Sequence, residues 1–174
     1  CLKNNVKKVV ALSTDKASSP LNLYGSTKLT SDKLFIAANN FKGLKKTIFS
    51  VVRYGNVMGS RGSVIPIFLN QKKKGLFTIT DTKMTRFNIT LDESVKFVNL
   101  AITKMIGGEI FVPKIPSYKI LDLLNAIKSK PKYKIIGMRS GEKLHEEMIS
   151  SSESINTFEL KNYFVILPNT KFNN

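Results

Sequence analysis

A phenol and an ammonium stand four residues apart at Tyr24 and Lys28, and an acid and an amine are adjacent at Asp15 and Lys16. Residues four apart on a helix share one face. An ammonium beside a phenol favours the phenolate, which makes Tyr24 and Lys28 a candidate acid/base pair. A Tyr-x-x-x-Lys quartet by itself is a common accident of sequence. Here it follows Thr14-Asp15-Lys16, which closes the apolar run Val9-Val10-Ala11-Leu12-Ser13. That run reads as a short buried strand. Asp15 and Lys16 then lie at the carboxyl end of a strand, where open α/β sheets bind their ligands. Pro20 and Asn22 mark a loop, and a helical pattern begins near Tyr24 and passes through Leu29, Leu34 and Ile36.

The segments Ser13-Thr14-Asp15-Lys16-Ala17-Ser18-Ser19-Pro20 and Leu23-Tyr24-Gly25-Ser26-Thr27-Lys28 resemble the extended short-chain dehydrogenase/reductase superfamily. Within it the chain is similar to the inverting, 5-epimerising UDP-N-acetylglucosamine 4,6-dehydratases, which open pseudaminic acid synthesis. The likeness continues through 53–63, Met84-Thr85-Arg86-Phe87, 108–114 and 139–146, to about Leu167. It implies an α/β fold: the C-terminal part of a Rossmann-like parallel sheet with a smaller α/β substrate domain. It implies Tyr24 as the base at the C4 hydroxyl, Lys28 beside the nicotinamide ribose, Asp15 as the acid at the C6 hydroxyl and Lys16 as the base at C5. The cofactor, NADP or NAD, would touch Leu12, Ser13, Tyr24, Lys28, Val57, Met58, Gly59, Ser60 and Arg61. The UDP-sugar would touch Asn56, Val64, Thr80, Arg86, Arg139 and Glu142. A homo-oligomer and a role in flagellin glycosylation are also implied.

Related enzymes differ at identifiable places. The dTDP-glucose 4,6-dehydratases carry Asp-Glu where this chain has Asp15-Lys16, and the sugar-nucleotide 4-epimerases lack the acid/base pair. Retaining, membrane-anchored dehydratases keep Thr-Asp-Lys but place Met at the position of Tyr24. A catalytically silent binding or regulatory module of the same fold is the alternative from another class, and the intact Asp15, Lys16, Tyr24 and Lys28 argue against it.

The 174 residues, 42% of them hydrophobic, suffice for a real core. No Gly-x-x-Gly-x-x-Gly turn occurs, and the chain starts abruptly at Cys1. The expectation is therefore a piece of a longer enzyme, with three or four upstream βα units amounting to on the order of 100 residues, and no tight NADP binding or turnover by the piece alone. The net charge of +16 is spread along the chain without interleaved aromatics, so nucleic-acid binding is not expected. Arginine occurs only at Arg53, Arg61, Arg86 and Arg139, all inside the quoted segments, which points to a need for the bidentate guanidinium fork on phosphate or carboxylate. One cysteine excludes an internal disulfide framework and fits a cytoplasmic enzyme. No apolar run approaches the roughly 18 residues of a membrane span. A single histidine, His145, gives no metal-ligand spacing, so no metal is expected and His145 reads as structural.

Further elements follow in order. Thr47–Val52 reads as a buried parallel strand, 64–74 as a helix closed by Gly75, 76–80 as a short strand and 84–90 as the return. Asp92 reads as the N-cap of a helix with Val95, Val98, Ala101 and Ile102 on its apolar face. Ile110–Val112 reads as a strand, 118–128 as helix, 133–138 as extended, 142–149 as helix, 150–154 as a polar loop and 164–166 as a last strand, with a frayed Asn-rich end. The helix start beside Arg139-Ser140-Gly141-Glu142 would form an anion site. The expected domains are 1–58 with roughly 88–115 for the cofactor, and 59–87 with 116–174 for the substrate.

Overall fold

The computed structural model describes residues 1–169. In chain order it contains β1 (Lys8–Thr14), α1 (Leu23–Phe41), β2 (Ile48–Tyr54), β3 (Asn56–Val57), α2 (Val64–Lys74), β4 (Phe77–Ile79) and β5 (Thr85–Ile89). It continues with α3 (Leu91–Lys104), β6 (Ile110–Pro113), β7 (Ser117–Lys119), α4 (Ile120–Ile127), β8 (Tyr133–Ile135), α5 (Ser151–Ser154), β9 (Thr157–Glu159) and β10 (Tyr163–Ile166). These elements form two compact units. The first comprises Cys1–Tyr54, Asp92–Lys114 and the chain from Glu147 onward; the second comprises Gly55–Leu91 and Ile115–Glu146. Among the described residues no helix is long and apolar enough to cross a membrane.

The first unit is an α/β layer structure. Its sheet has the order β1-β2-β6-β10-β9, with β1, β2 and β6 parallel and β10 and β9 added antiparallel. Successive strand residues face opposite sides. Val51, Ile110 and Val112 accordingly pack with Phe35 and Ile36 of α1, while Val52 and Phe111 pack with Phe97, Ala101 and Met105 on the α3 side. Burial on both faces explains the near-continuous apolar sequence of β2 and β6. In the second unit β3 pairs parallel with β5, β5 antiparallel with β7, and β4 parallel with β8. Phe68, Phe77, Ile79, Met84, Ile120 and Leu124 form its core, with Phe68 and Phe77 edge to face at 5.9 Å.

The α/β class and most elements match the sequence reading, and α2 matches to the residue. Gly75 closes α2 at φ 75°, its N–H reaching the carbonyls of Gln71 and Lys72. Several expectations are corrected. β1 is only half covered, with Leu12 49% exposed, and Leu34 of α1 is also exposed. α3 starts at Leu91, so Asp92 lies in its first turn, where its charge still suits the helix dipole. Its buried stripe is Ser94, Phe97 and Ala101; Val95 and Ile102 face outward. Tyr118 lies in β7, and helix begins only at Ile120. Residues 142–149 are not helical, because the Leu144 carbonyl accepts the Thr85 N–H of β5 and Gly141 is left-handed at φ 79°. Residues 151–154, expected as loop, form α5 behind a Ser150/Glu153 capping box. The last segment, expected with the substrate residues, joins the first unit through β10 and β9, and the boundary after β2 falls at Tyr54 rather than 58. The frayed Asn-rich end that the sequence suggests falls on residues 170–174, which lie outside the described residues.

Candidate active site

The candidate acid/base residues of the first unit are placed by the end of β1. Thr14 Oγ1 accepts the Lys16 N–H at 3.4 Å and donates to Asp15 Oδ1 at 2.9 Å, so the strand turns at once into a single 3-10 turn, Asp15–Ala17. Lys16 Nζ donates to the same Oδ1 at 3.0 Å. Asp15 has no exposed surface, and its Oδ2 has no hydrogen-bond partner among the described residues. A buried carboxylate oxygen left without a donor is costly to the fold, which makes it a chemical rather than a structural feature.

Helix α1 carries the other pair. The Asn22 side chain accepts the Gly25 N–H at 2.8 Å and sets the helix start. Lys28 Nζ reaches back to the Leu12 carbonyl at 2.7 Å, anchoring the ammonium to the carboxyl end of β1. Tyr24 is 56% exposed, and its phenol makes no hydrogen bond among the described residues. The expected contact of ammonium and phenol is thus replaced by one between ammonium and strand, with the phenol open to a ligand. Ser13, itself buried, donates its hydroxyl proton to Asp32 Oδ2 at 2.8 Å and so has no side-chain donor left for a cofactor.

Beneath these residues lies a buried ion cluster. Arg53 of β2 donates Nη1 and Nη2 to Glu153 at 2.9 Å each, Nη2 to Asp32 at 3.3 Å and Nη1 to the Met148 carbonyl at 3.2 Å. It has no exposed surface. The arginine fork found here grips carboxylates of the same chain, not a ligand. Burial pushes the Asp32 carboxyl up, against the opposing pull of Ser13, Arg53 and Lys28. Burial pushes Glu153 up as well, but the hydrogen bonds and charge of Arg53 outweigh it and hold Glu153 below the usual carboxylate range. Asp32 and Glu153 were not legible as site-supporting residues; the capping-box spacing of Ser150 and Glu153 is the one signal that marks the latter.

The second unit holds a cavity of about 300 Å³. Asn56, Val64, Thr80, Arg86, Arg139 and Glu142, the residues expected at a UDP-sugar, all line it. Ser60, expected with the cofactor loop, lines it too. Phe68, Met84 and Ile120 give it an apolar wall. Arg86 donates Nη1 to the carbonyls of Thr85 and Leu144, which fixes the guanidinium at the cavity while leaving other donors. The Arg139–Glu142 stretch is a turn, with the Arg139 N–H on Glu142 Oε2 at 3.0 Å and the Glu142 N–H on the Arg139 carbonyl at 3.1 Å. A turn, not a helix start, therefore presents these two residues. Ser63 at the N-cap of α2 lines the cavity, makes no capping bond, and its buried Oγ has no partner among the described residues. An N-cap serine is ordinarily satisfied by its own helix, so the sequence carries no signal that this hydroxyl faces a cavity. Val57 ends β3, and Met58, Gly59 and Arg61 follow it in an exposed loop in which Gly59 is left-handed at φ 73°. His145 Nδ1 shares a hydrogen bond with Thr85 Oγ1 at 2.8 Å.

A family model described as polysaccharide biosynthesis protein matches residues 1–168. The inverting UDP-N-acetylglucosamine 4,6-dehydratase of Campylobacter jejuni (serotype O:2) is 59% identical over 174 residues, covering 99% of this chain and 52% of that protein. A UDP-glucose 4-epimerase of Rickettsia canadensis is 45% identical over 170 residues, covering 95% of this chain and 50% of that protein. The chain thus spans about half the length of these relatives. Among solved structures, Pen from Bacillus thuringiensis superimposes with a TM-score of 0.90 at 42% identity, covering 97% of this chain and 55% of that one.

Proposed function

The chain belongs to the polysaccharide biosynthesis protein family, and from that premise we propose that it carries the acid/base and sugar-nucleotide residues of an inverting UDP-N-acetylglucosamine 4,6-dehydratase. What carries the proposal is the Asp15–Lys16 pair. Dehydration across C5 and C6 needs a neutral amine to take the C5 proton and a protonated carboxyl to release the C6 hydroxyl as water. Moving one proton along the 3.0 Å hydrogen bond from Lys16 Nζ to Asp15 Oδ1 creates both at once. Protonation at C5 from the opposite face then inverts that centre. Tyr24 takes the proton of the C4 hydroxyl, with Lys28 supplying a cation one helical turn away.

The residues present fit a nicotinamide dinucleotide. Lys28 Nζ is anchored on one carbonyl at the carboxyl end of β1 and keeps donors for a ribose hydroxyl. A bound nicotinamide would supply internal redox, taking hydride from C4 and returning it to C6 as C5 is protonated, so that the ketone stays at C4 and C6 ends as a methyl group. Leu12, Ser13, Tyr24, Lys28 and Val57 to Arg61 are the proposed holders, with NADP as the proposed form and NAD the alternative. In the second unit Arg86 and Arg139 are proposed to bind the diphosphate and Asn56, Val64, Thr80 and Glu142 the remainder of the UDP-sugar. The proposed product is UDP-2-acetamido-2,6-dideoxy-β-L-arabino-hex-4-ulose, feeding pseudaminic acid synthesis and flagellin glycosylation. Cytoplasmic location and a homo-oligomeric state are proposed on the family resemblance.

The similarity to a protein named as a UDP-glucose 4-epimerase supports a second reading, and one reaction separates the two. The full-length protein is incubated with UDP-N-acetylglucosamine in D₂O. Dehydration with inversion yields a 4-keto-6-deoxy sugar carrying deuterium at C5 in the inverted configuration. Deuterium with retained configuration assigns the chain to the retaining dehydratases, and a product that has lost no water assigns it to the epimerases.

A further inference from the structure

We infer that Gly25 is a positioning residue of this site, holding the turn that carries Asp15 and Lys16 in a fixed place against the helix that carries Tyr24. A Cβ on Gly25 would stand 2.3 Å from the Lys16 carbonyl oxygen, 3.3 Å from its carbonyl carbon and 3.0 Å from Pro20 Cβ. The shortest of these lies far inside van der Waals contact, and its target is backbone, which cannot rotate aside as a side chain can. Gly25 is buried in the first turn of α1, and it is not among the left-handed glycines. What the position demands is space, not conformational freedom. A glycine inside a helix is otherwise a handicap relative to alanine.

Neither side of the contact is free to yield. Thr14 Oγ1 holds the Lys16 N–H, the Ser18 N–H donates to the Asp15 carbonyl at 3.2 Å, and Asp15, Ala17 and Ser18 are all at most 1% exposed. The turn then leaves through Ser19, a non-glycine residue at φ 46°, into Pro20, which packs on Gly25. On its other side α1 is tied to β1 and β2 by Asp32, which accepts from Ser13 and Arg53. A methyl group at position 25 therefore displaces Asp15 and Lys16 relative to Tyr24.

The inference rests on the reading in which Tyr24 and Lys28 serve C4 while Asp15 and Lys16 serve the elimination, and it divides the reaction at that point. In the full-length, cofactor-loaded protein, Gly25→Ala is expected to lower the Tm, as overpacking against backbone does, and to keep its UDP affinity. Release of the dehydrated sugar should fall at least about 100-fold, the size of loss that a misplacement near 1 Å produces. Mass spectrometry should find the C4-oxidised sugar, lighter by two hydrogens and still hydroxylated at C6, accumulating on the enzyme. Wild-type turnover by a folded Gly25→Ala protein overturns the inference, and so does an equal loss of C4 oxidation and of elimination. Should Gly25→Ala not fold, Pro20→Gly decides by the same measurement, since it removes the ring that packs on Gly25 and leaves the sequence of α1 unchanged. A smaller deficit confined to elimination supports the inference, and undiminished elimination overturns it. A wild-type protein that never dehydrates UDP-N-acetylglucosamine sinks the functional reading first and the inference with it, an outcome that no variant is needed to recognise.

Discussion

In the first unit Arg53 has no exposed surface and commits its guanidinium to Glu153, Asp32 and a carbonyl, whereas in the second Arg86 and Arg139 border a cavity. The four arginines read alike in the sequence, each inside a motif in a chain that otherwise uses lysine. Partners separate them. Where two carboxylates meet the fork inside the protein, arginine is a fastener; where the fork keeps donors at a cavity, it is an instrument. The same contrast holds for carboxylates: Glu153 has every oxygen engaged, while Asp15 keeps one buried oxygen with no partner among the described residues.

The largest effect expected from this contrast is on catalysis. Lys16→Ala in the full-length protein should slow dehydration by about 10²–10⁴-fold, the usual contribution of a positioned general base, with UDP affinity from calorimetry unchanged. Loss of UDP binding in parallel would make Lys16 a binding residue and blur the division. Next in size is stability. Arg53→Met should cost about 3–5 kcal/mol in denaturant unfolding, because it leaves the buried Asp32 and the largely buried Glu153 without their cation. Arg86→Met gives up two bonds to carbonyls but strands no charge, so it should cost only about 1–2 kcal/mol. Comparable losses would erase the distinction between fastener and instrument. Arg139→Lys exchanges a fork for a point charge and should weaken UDP binding by about 1–3 kcal/mol with no change in Tm; unaltered UDP affinity removes Arg139 from the site.

The smallest expected effect is a pH dependence. Glu153 is held below its ordinary range, so its contribution is full above the unfolded-state value and is lost as pH falls through the folded one. Asp32 is raised, so its ionisation costs stability as pH climbs from the ordinary value through the folded one, partly opposing Glu153. The stability gap between wild type and Glu153→Gln should therefore be widest near neutrality and close in acid. A gap of constant size would mean that Glu153 acts through shape and not through charge.

What the sequence made legible is what neighbours in the chain decide. The end of α2 at Gly75, the start of α1 behind Asn22 and the β1–turn–α1 order of the acid/base residues all follow from residues within a few positions of one another. The six expected substrate residues fall on one cavity because they were taken from a family pattern and not from local propensity. The rest depended on distant partners. Residues 142–149 have a helical composition, but the Leu144 carbonyl is taken by Thr85 and Arg86, a tertiary demand that no local rule expresses. Asp32 sits in a run of polar helix residues and reads as solvent-facing, although it is buried by Arg53 and Ser13. The antiparallel return of β10 beside β6 is likewise silent, since a short apolar run carries no sign of its direction.

The discontinuity of the first unit has a consequence for how the protein is made. Glu153 lies a hundred residues after Arg53 in the chain. At roughly 5–20 residues per second, Arg53 leaves the ribosome on the order of 5–20 s ahead of its carboxylate partner. For that interval the Arg53 fork has Asp32 of α1 to pair with but lacks the two bonds that Glu153 supplies. Arrival of α5 completes the cluster, and β9 and β10 complete the sheet beside β6. The first unit is thus finished by its last segment, and a chain ending before residue 153 lacks the second carboxylate of its buried arginine.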